Sequence, residues 1–178
     1  DQKQALKKRL ADDRKRAEAN RQKEIERAAQ EADRVWRLAL PTGESDYLVR
    51  KGVQPFGVRF TESGAIVIPM QDNSARVYGL QFILPSTHPR KKKTGRDKEF
   101  WPAGMAMKGH YFILGGSPHR VLLIAEGYAT AATLHQATGL PVAVAFNANN
   151  LLPVAENLRK RYRSVKILVC ADDDYLTD

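Results

Sequence analysis

The segment that most constrains the fold is Val121–Ala125, an apolar run followed at once by Glu126 and Gly127. A helix-forming pattern begins directly after the glycine, at Tyr128. In a parallel sheet, a buried strand reads as a continuous apolar run, and its carboxyl end meets the start of the next helix. The sequence therefore predicts a carboxylate at the carboxyl edge of a sheet. The glycine would let a ligand approach the backbone closely, and a helix N-terminus would face the same point.

The same plan repeats at Val165–Cys170, a second apolar-rich run that ends, one residue later, in the acids Asp172–Asp174. Because side chains alternate along an extended backbone, Asp172 and Asp174 should lie on one side, and Asp173 is the weaker candidate. Carboxylate oxygens suit hard cations such as Mg²⁺ or Mn²⁺. Glu126 follows a strand that can pair with residues 165–170, so it is either a further metal ligand or an acid/base group. We expect one metal site, of the kind that orients phosphates.

From residue 121 the sequence alternates between short apolar runs and helix-forming segments, which predicts a βαβαβ unit. The short connections favour a parallel sheet with right-handed crossovers. Asn149 or Asn150 is expected to cap the second helix, with Pro153 in its first turn. A parallel sheet of three strands leaves one flank open, so we expect a further helix and strand beyond this sequence. The predicted strands are 121–125, 141–146 and 165–170, and the predicted helices are 128–138 and about 150–162.

Residues 1–40 predict one long helix, because they are rich in Ala, Lys, Arg, Glu and Gln and contain neither Gly nor Pro. From Ile25 onward apolar residues recur every three or four positions, so this half should dock on a globular body with Trp36 as its anchor. The first half has mixed charges and few large apolar residues. We interpret it as a solvated helix or linker, with a basic arm for nucleic acid or a coiled-coil segment as alternatives.

Residues 41–118 predict a small, basic and mostly β subdomain, which begins its β region near Asp46. Turn-forming clusters separate its strand-like segments, so an antiparallel sheet or meander is expected. Phe100 and Trp101 are interpreted as core residues beside a strand, with base stacking as the alternative. Residues 119–178 form the third predicted unit. The strand-like segments are 58–60, 65–70, 77–84, 99–104 and 109–116.

The segment between Pro85 and Lys98 is the most basic part of the chain. Pro85, Pro89 and Gly95 interrupt it, so it is expected to be an exposed loop without regular structure. A run of charge is often only a solvated surface. Here it shares a chain with an acidic metal candidate, so phosphate binding is the second interpretation. Its candidate phosphate-binding residues are Arg90, Lys91, Lys92, Lys93 and Arg96.

The charge balance restricts the partners. The chain has 178 residues and a net charge of +9, which favours a polyanion such as nucleic acid, nucleotide phosphate or an anionic membrane. No apolar run approaches the ~18 residues of a membrane span. Cys170 is the only cysteine, so an internal disulfide or a cysteine-rich zinc site is excluded and a reducing cytoplasm is the expected location. The sequence has no Walker-type phosphate loop, no nucleophile elbow at Ser117 and no metal-ligand spacing among its histidines.

Taken together, these motifs resemble the Toprim domain, which bacterial-type primases, topoisomerases of types IA and II and some nucleases share. A strand ending in Glu-Gly, a βαβ crossover and a strand ending in Asp-x-Asp carry the resemblance, which covers roughly residues 30–178. The longer motifs are similar to the primases of plasmids and P4-like phages. These motifs are Glu126–Ala131, Thr138–Pro141, Phe146–Ala155 and Ala171–Asp174. The upstream motifs are similar to the small N-terminal subdomain that precedes Toprim in primase catalytic cores. They are Trp36, Tyr47–Gly52, Ile68–Met70, Gly79–Ile83, Lys98, Phe100 and Lys108–Gly109.

The resemblance implies a DNA primase catalytic core that makes short primers from NTPs on single-stranded DNA, with a replicative helicase as a candidate partner and no membrane. Glu126 would match the Toprim glutamate, and Asp172 and Asp174 would match the metal-binding Asp-x-Asp. A basic face would hold the template or the incoming nucleotide. The residues implied for that face are Lys98 and, less directly, Arg50, Lys51 and Lys108.

The sequence also departs from the family pattern. No upstream zinc module is visible, the sheet has one strand fewer than a full Toprim sheet, and the segment 85–97 is longer and more basic than expected. These departures leave the activity of this chain by itself open. A Toprim nuclease, or a non-catalytic module that binds single strands or a helicase, is the alternative. A topoisomerase is least consistent, because no candidate catalytic tyrosine domain is present.

Overall fold

The computed structural model describes residues 2–171. The long first helix, α1, packs on a four-stranded antiparallel sheet, and a second sheet with two flanking helices follows. This arrangement confirms the predicted fold class. The elements are α1 (Gln2–Leu38), α2 (Asp46–Lys51), β1 (Arg59–Phe60), β2 (Ile66–Gln71), β3 (Val77–Ile83), α3 (Pro89–Thr94), β4 (Lys98–Trp101), β5 (Phe112–Leu114), β6 (Val121–Ala125), α4 (Tyr128–Thr138), β7 (Val142–Val144), a 3₁₀ turn (Ala148–Asn150), α5 (Leu151–Arg161) and β8 (Lys166–Cys170).

The first sheet has the strand order β1-β2-β3-β4, with every neighbouring pair antiparallel. One of its faces is covered by α1, where small residues let the helix approach closely. Ala32 is fully buried there against Val67, Val77 and Leu80. Trp36, expected to be the anchor of α1, is only partly buried, and the guanidinium of Arg59 lies 4.6 Å from its ring centroid. Buried alanines therefore set the helix–sheet contact.

The second sheet has the order β5-β7-β6-β8. Strand β6 pairs in parallel with both β7 and β8, as predicted for the βαβαβ unit. Buried residues on the two faces of this sheet belong to different clusters: α4 packs in the cluster that also contains first-sheet residues, and α5 packs in the other. The second sheet is thus covered on both faces, and one continuous core joins it to the first sheet.

Two local predictions were wrong. Asp46–Lys51 is a helix, because Ser45 caps its start and the left-handed Gly52 (φ 65°) ends it. The segment expected to be an irregular loop contains α3, in which Pro89 occupies the first turn, His88 caps the start and Gly95 ends the helix. The same proline and glycine that interrupt a strand are thus suited to bound a short helix.

Asn150 is the N-cap residue of α5, as predicted, but its side chain makes no capping hydrogen bond. The side chain of Asn147, not of Asn149 or Asn150, accepts a hydrogen bond at the start of the 3₁₀ turn that leads into this helix. Asn150 is buried, and its side chain bonds to other segments instead. A further difference lies in β5, which pairs antiparallel with β7 in the second sheet although it precedes residue 119. Among the described residues, no helix is long and apolar enough to cross a membrane.

Candidate functional site

The carboxyl ends of β6, β7 and β8 lie at one edge of the second sheet. Ala125 is level with Val144 on one side and with Cys170 on the other. Glu126 therefore begins just beyond this edge, half-buried, and Gly127 follows it as the N-cap of α4 with φ −111°. The predicted strand, carboxylate, glycine and helix start are all found at their predicted places. This edge is the candidate site.

The acids Asp172–Asp174 lie outside the described residues, and they follow directly after Ala171, the residue next to Cys170. Within residues 2–171 there is no cluster of three or more His, Cys, Asp or Glu side chains that could hold a metal ion. Glu126 is thus the only described member of the predicted ligand set. Its hard carboxylate oxygen, at a sheet edge shared with the end of β8, fits Mg²⁺ or Mn²⁺ by donor chemistry.

Strand β4 of the first sheet brings a cation to the same edge. A Cβ atom built on Gly127 would lie 3.9 Å from Nζ of Lys98, so the ammonium group stands directly beside the Glu126–Gly127 turn. Lys98 pairs with Ile83 across the sheet, and its side chain lies on the face that turns away from α1. Two sheets that are separate in sequence therefore contribute a carboxylate and an ammonium group to one place.

Phe146 lies just beyond the end of β7, and nothing in the sequence singled out its conformation. Its φ angle is 74°, in the left-handed region that a bulky residue rarely adopts. Such a conformation costs on the order of 1–2 kcal/mol and is found preferentially at functional sites. The ring is buried, and it meets the ring of Phe100 at a centroid distance of 6.4 Å and an interplanar angle of 81°. Phe100 thus lies at the candidate site, beside Lys98 on β4.

Lys108 is held near the start of α5 by the residue that follows it. The Gly109 amide donates to Oδ1 of Asn150 at 2.7 Å, and the side chain of Asn157 donates to the Gly109 carbonyl at 3.0 Å. Gly109 is left-handed (φ 78°), and a Cβ there would collide with the Asn157 amide. Only glycine fits this position. Asn150 also donates to the carbonyl of Ala145, the residue directly after β7, so the exposed Lys108 is held near the candidate edge.

The other predicted basic residues divide into two groups. Ion pairs join Arg50 to Asp46 (3.8 Å), Arg90 to Glu99 (3.0 Å) and Lys91 to Asp97 (3.6 Å). The first pair lies within α2, the other two tie α3 to β4 and to the residue before it, and all three partly neutralise the charge. The remaining cations are exposed, and no ion pair holds them within the part of the chain that the structure describes. They are Lys51, Lys92, Lys93 and Arg96.

Tyr128 follows the Glu126–Gly127 turn, and its burial indicates a structural role. Its hydroxyl donates toward the carbonyls of Gln54 and Phe56, each at 3.3 Å, and burial raises the pKa of the phenol. Tyr128 therefore stays protonated and joins α4 to the first subdomain. His135, further along α4, contacts the Leu140 carbonyl at 2.7 Å through Nδ1 and the ring of Phe56, in keeping with a packing residue.

The class of this domain is defined by its mixed sheet. The central parallel strand of that sheet ends in Glu-Gly, directly before a helix. Residues 121–177 match the family described as "Toprim domain". This match confirms the expected resemblance of residues 121–177 to a Toprim domain.

Curated relatives narrow the resemblance to primases. The chain is 31% identical over 160 residues to a protein named DNA primase TraC from Escherichia coli. A second protein of that name and organism is 31% identical over 131 residues. These alignments cover 86% and 72% of this chain but only 14% and 9% of the relatives' lengths. The resemblance to plasmid-type primases is therefore confirmed for a small part of much longer proteins.

Solved primase structures share the fold. One is described as the DnaG primase catalytic domain bound to ssDNA, with a TM-score of 0.57, 13% identity and coverage of 89% of this chain and 64% of that one. Another is the Aquifex aeolicus primase with its zinc-binding and RNA polymerase domains, with a TM-score of 0.54, 14% identity and coverage of 85% and 48%. At these low sequence identities, the similarity shows a shared fold and nothing more.

Proposed function

We propose that this chain is the catalytic core, or most of it, of a DNA primase that makes short primers from NTPs on single-stranded DNA. The observation that carries the proposal is the meeting of Glu126 and Lys98 at one sheet edge, from two different sheets. A phosphate-transfer site needs this combination, because acids hold a cation while basic groups hold the phosphates. The primase-named relatives support the same reaction class.

Mg²⁺ or Mn²⁺ would be held by Asp172 and Asp174, with Glu126 as a further ligand or as an acid/base group. When bound, such ions activate a hydroxyl group and neutralise the leaving pyrophosphate in nucleotidyl transfer. The fit rests on the shared edge of β6 and β8, where Cys170 is level with Ala125 and stands two residues before Asp172 in the sequence.

Basic residues of the first subdomain would bind the polyanionic substrates. Lys98 would contact a phosphate beside Glu126, and Lys108 would contact one near the start of α5. The exposed cations of the α3 region, Lys92, Lys93 and Arg96, would follow the strand's backbone, because unpaired surface cations bind phosphates without reading sequence. Arg50, Lys51, Arg90 and Lys91 remain candidates in the same proposal, although Arg50, Arg90 and Lys91 already have acidic partners.

The test is primer synthesis from NTPs on single-stranded DNA, measured with and without Mg²⁺ or Mn²⁺. We expect Glu126→Gln and Asp172→Asn each to lower the rate at least about 100-fold, because each removes a group that acts in the transition state. The exposed acid Asp13 on α1 offers a matched control, since Asp13→Asn should leave the rate unchanged. Undiminished synthesis by either site variant would sink the proposal.

Assays of plasmid cleavage and of single-strand binding on the same protein separate the alternatives. Cleavage of plasmid DNA in Mn²⁺ without primer synthesis would identify a nuclease that uses the same acids. Salt-sensitive binding of single strands that survives loss of all the acids, without any product, would identify a binding module. The primase proposal implies action in the cytoplasm beside a replicative helicase, and co-purification of the helicase with the natural protein would test that partnership.

A further inference from the structure

Phe100 is a large aromatic residue that remains open to solvent beside the candidate site. It is 40% exposed, although the core of the chain is well covered. Its strand, β4, alternates between two faces, so that Glu99 and Trp101 are less exposed than Lys98 and Phe100. Trp101 packs with the cluster under α1, whereas Phe100 and Lys98 are directed toward the second sheet. An exposed phenyl ring and an ammonium group therefore share one face.

Phe146, a residue with a strained backbone, packs against the Phe100 ring. Phe146 has a φ angle of 74° and is 6% exposed, and its ring stands edge-on to that of Phe100. This contact holds the Phe100 ring while leaving part of it uncovered. Phe146 belongs to the same buried cluster as Val142 and Val144, so the core fixes its ring. Phe100 therefore packs against a fixed aromatic side chain at the edge of the sheet.

The spacing of the two exposed groups suits one nucleotide. Lys98 and Phe100 are two residues apart on a strand, which places their side chains about 7 Å apart. A phosphate bound by the ammonium group would leave the attached base within reach of the ring. Aromatic rings stack on every base, because each base has a flat π face.

We propose that Phe100, supported by Phe146, is a stacking platform for a nucleobase whose phosphate is bound by Lys98. The inference deepens the proposed function and rests on it, since it assigns a base-binding residue to the same site. The base can belong to a single-stranded template or to a free nucleotide, and both present the same π face.

The test compares ligands with and without bases, in the absence of metal. The first arm measures binding of an oligothymidylate and of an abasic oligonucleotide of equal length by fluorescence anisotropy. The second arm compares ATP with inorganic triphosphate by calorimetry. In one arm or both, Phe100→Leu should weaken binding of the base-bearing ligand by about 5- to 100-fold and leave the base-free ligand unchanged. Phe100→Trp should keep the preference for bases.

Two controls separate stacking from a general loss of structure. Phe82→Leu makes the same change on the opposite face of the first sheet, where Phe82 packs near Trp101, and should not alter the preference. Lys98→Met should weaken the base-bearing and the base-free ligand alike. The proposal is overturned if wild-type protein shows no base preference in either arm, or if Phe100→Leu retains it. Primer synthesis is not measured, so failure of the primase proposal would leave this result standing.

Discussion

At the scale of single residues, Asn150 joins the segment that precedes β5 to the end of β7. Its side chain accepts from the Gly109 amide at 2.7 Å and donates to the carbonyls of His110 and Ala145 at 3.0 and 2.8 Å. The residue is 4% exposed, so water cannot replace these partners. Asn150 therefore fixes the backbone that carries Lys108 against the end of β7.

Replacing Asn150 by alanine should lower the free energy of unfolding by about 2–4 kcal/mol, because it leaves buried donors and acceptors without partners. Urea denaturation followed by circular dichroism measures the change. The neighbouring Asn149 is exposed, so Asn149→Ala should change stability by less than about 0.5 kcal/mol. Equal effects of the two substitutions would show that the hydrogen bonds of Asn150 contribute little.

His110 should make stability depend on pH. Burial lowers its pKa below the ordinary value of 6.5, and Asp72 and the carbonyls of Lys108 and Met107 oppose the shift only in part. Below about pH 6.5 the unfolded chain gains a proton that the folded chain does not bind, so stability should fall as the pH falls. His110→Phe should reduce the loss of unfolding free energy between pH 7 and pH 5. The exposed His119 provides a control for the substitution itself, and His119→Phe should leave the free energy of unfolding at pH 7 nearly unchanged.

At the scale of elements, the two halves of α1 differ in burial. Only Ala28, Ala29 and Ala32 are buried along its 37 residues, and all three lie in its second half. Glu26 binds Arg76 through both carboxylate oxygens (2.6 and 2.7 Å), at the start of the docked half. The first half therefore extends away from the sheet, as the mixed charges of the sequence predicted.

Enlarging one side chain in each half of α1 should have different effects on stability. Ala32→Leu should destabilise the protein by about 1–3 kcal/mol, because the extra volume has no space between the helix and β3. Ala19→Leu, in the exposed half, should be neutral in the same thermal unfolding measurement. If both substitutions were neutral, the packing of α1 on the sheet would be looser than the complete burial of Ala32 indicates.

Particular elements show how far the sequence determined this structure. The bounds of α4 were predicted in full, because a glycine precedes it and another ends it. The short strand β5 gave no local sign of its sheet, since its antiparallel pairing with β7 depends on residues about thirty positions away. The conformation of Phe146 has no sequence signature. Glu126 and Lys98 were each predicted for the site, but their meeting depends on how two sheets pack, which no local pattern encodes.

At the scale of the whole molecule, the net charge of +9 should make the binding of single-stranded DNA depend on salt concentration. For single strands, the slope of log affinity against log salt decreases in magnitude by about 0.7 for each phosphate that the protein no longer neutralises. Lys98→Met and Lys108→Met should each reduce the slope by about this amount. Lys166 lies at the amino end of β8, at the opposite edge of the second sheet, so Lys166→Met should leave it unchanged. If all three variants had the same salt-dependence slope, the single-stranded DNA would bind elsewhere on the protein.

The division of the site between two sheets has a consequence for how such proteins diversify. The β3–β4 hairpin, with α3 at its tip, supplies Lys98 and Phe100, while the second sheet supplies Glu126. A hairpin tolerates insertions at its tip, because few buried contacts depend on it. Selection can therefore alter the length and charge of residues 84–97 while the acidic edge stays constant. The substrate binding and the chemistry that we propose for the candidate site can therefore evolve separately.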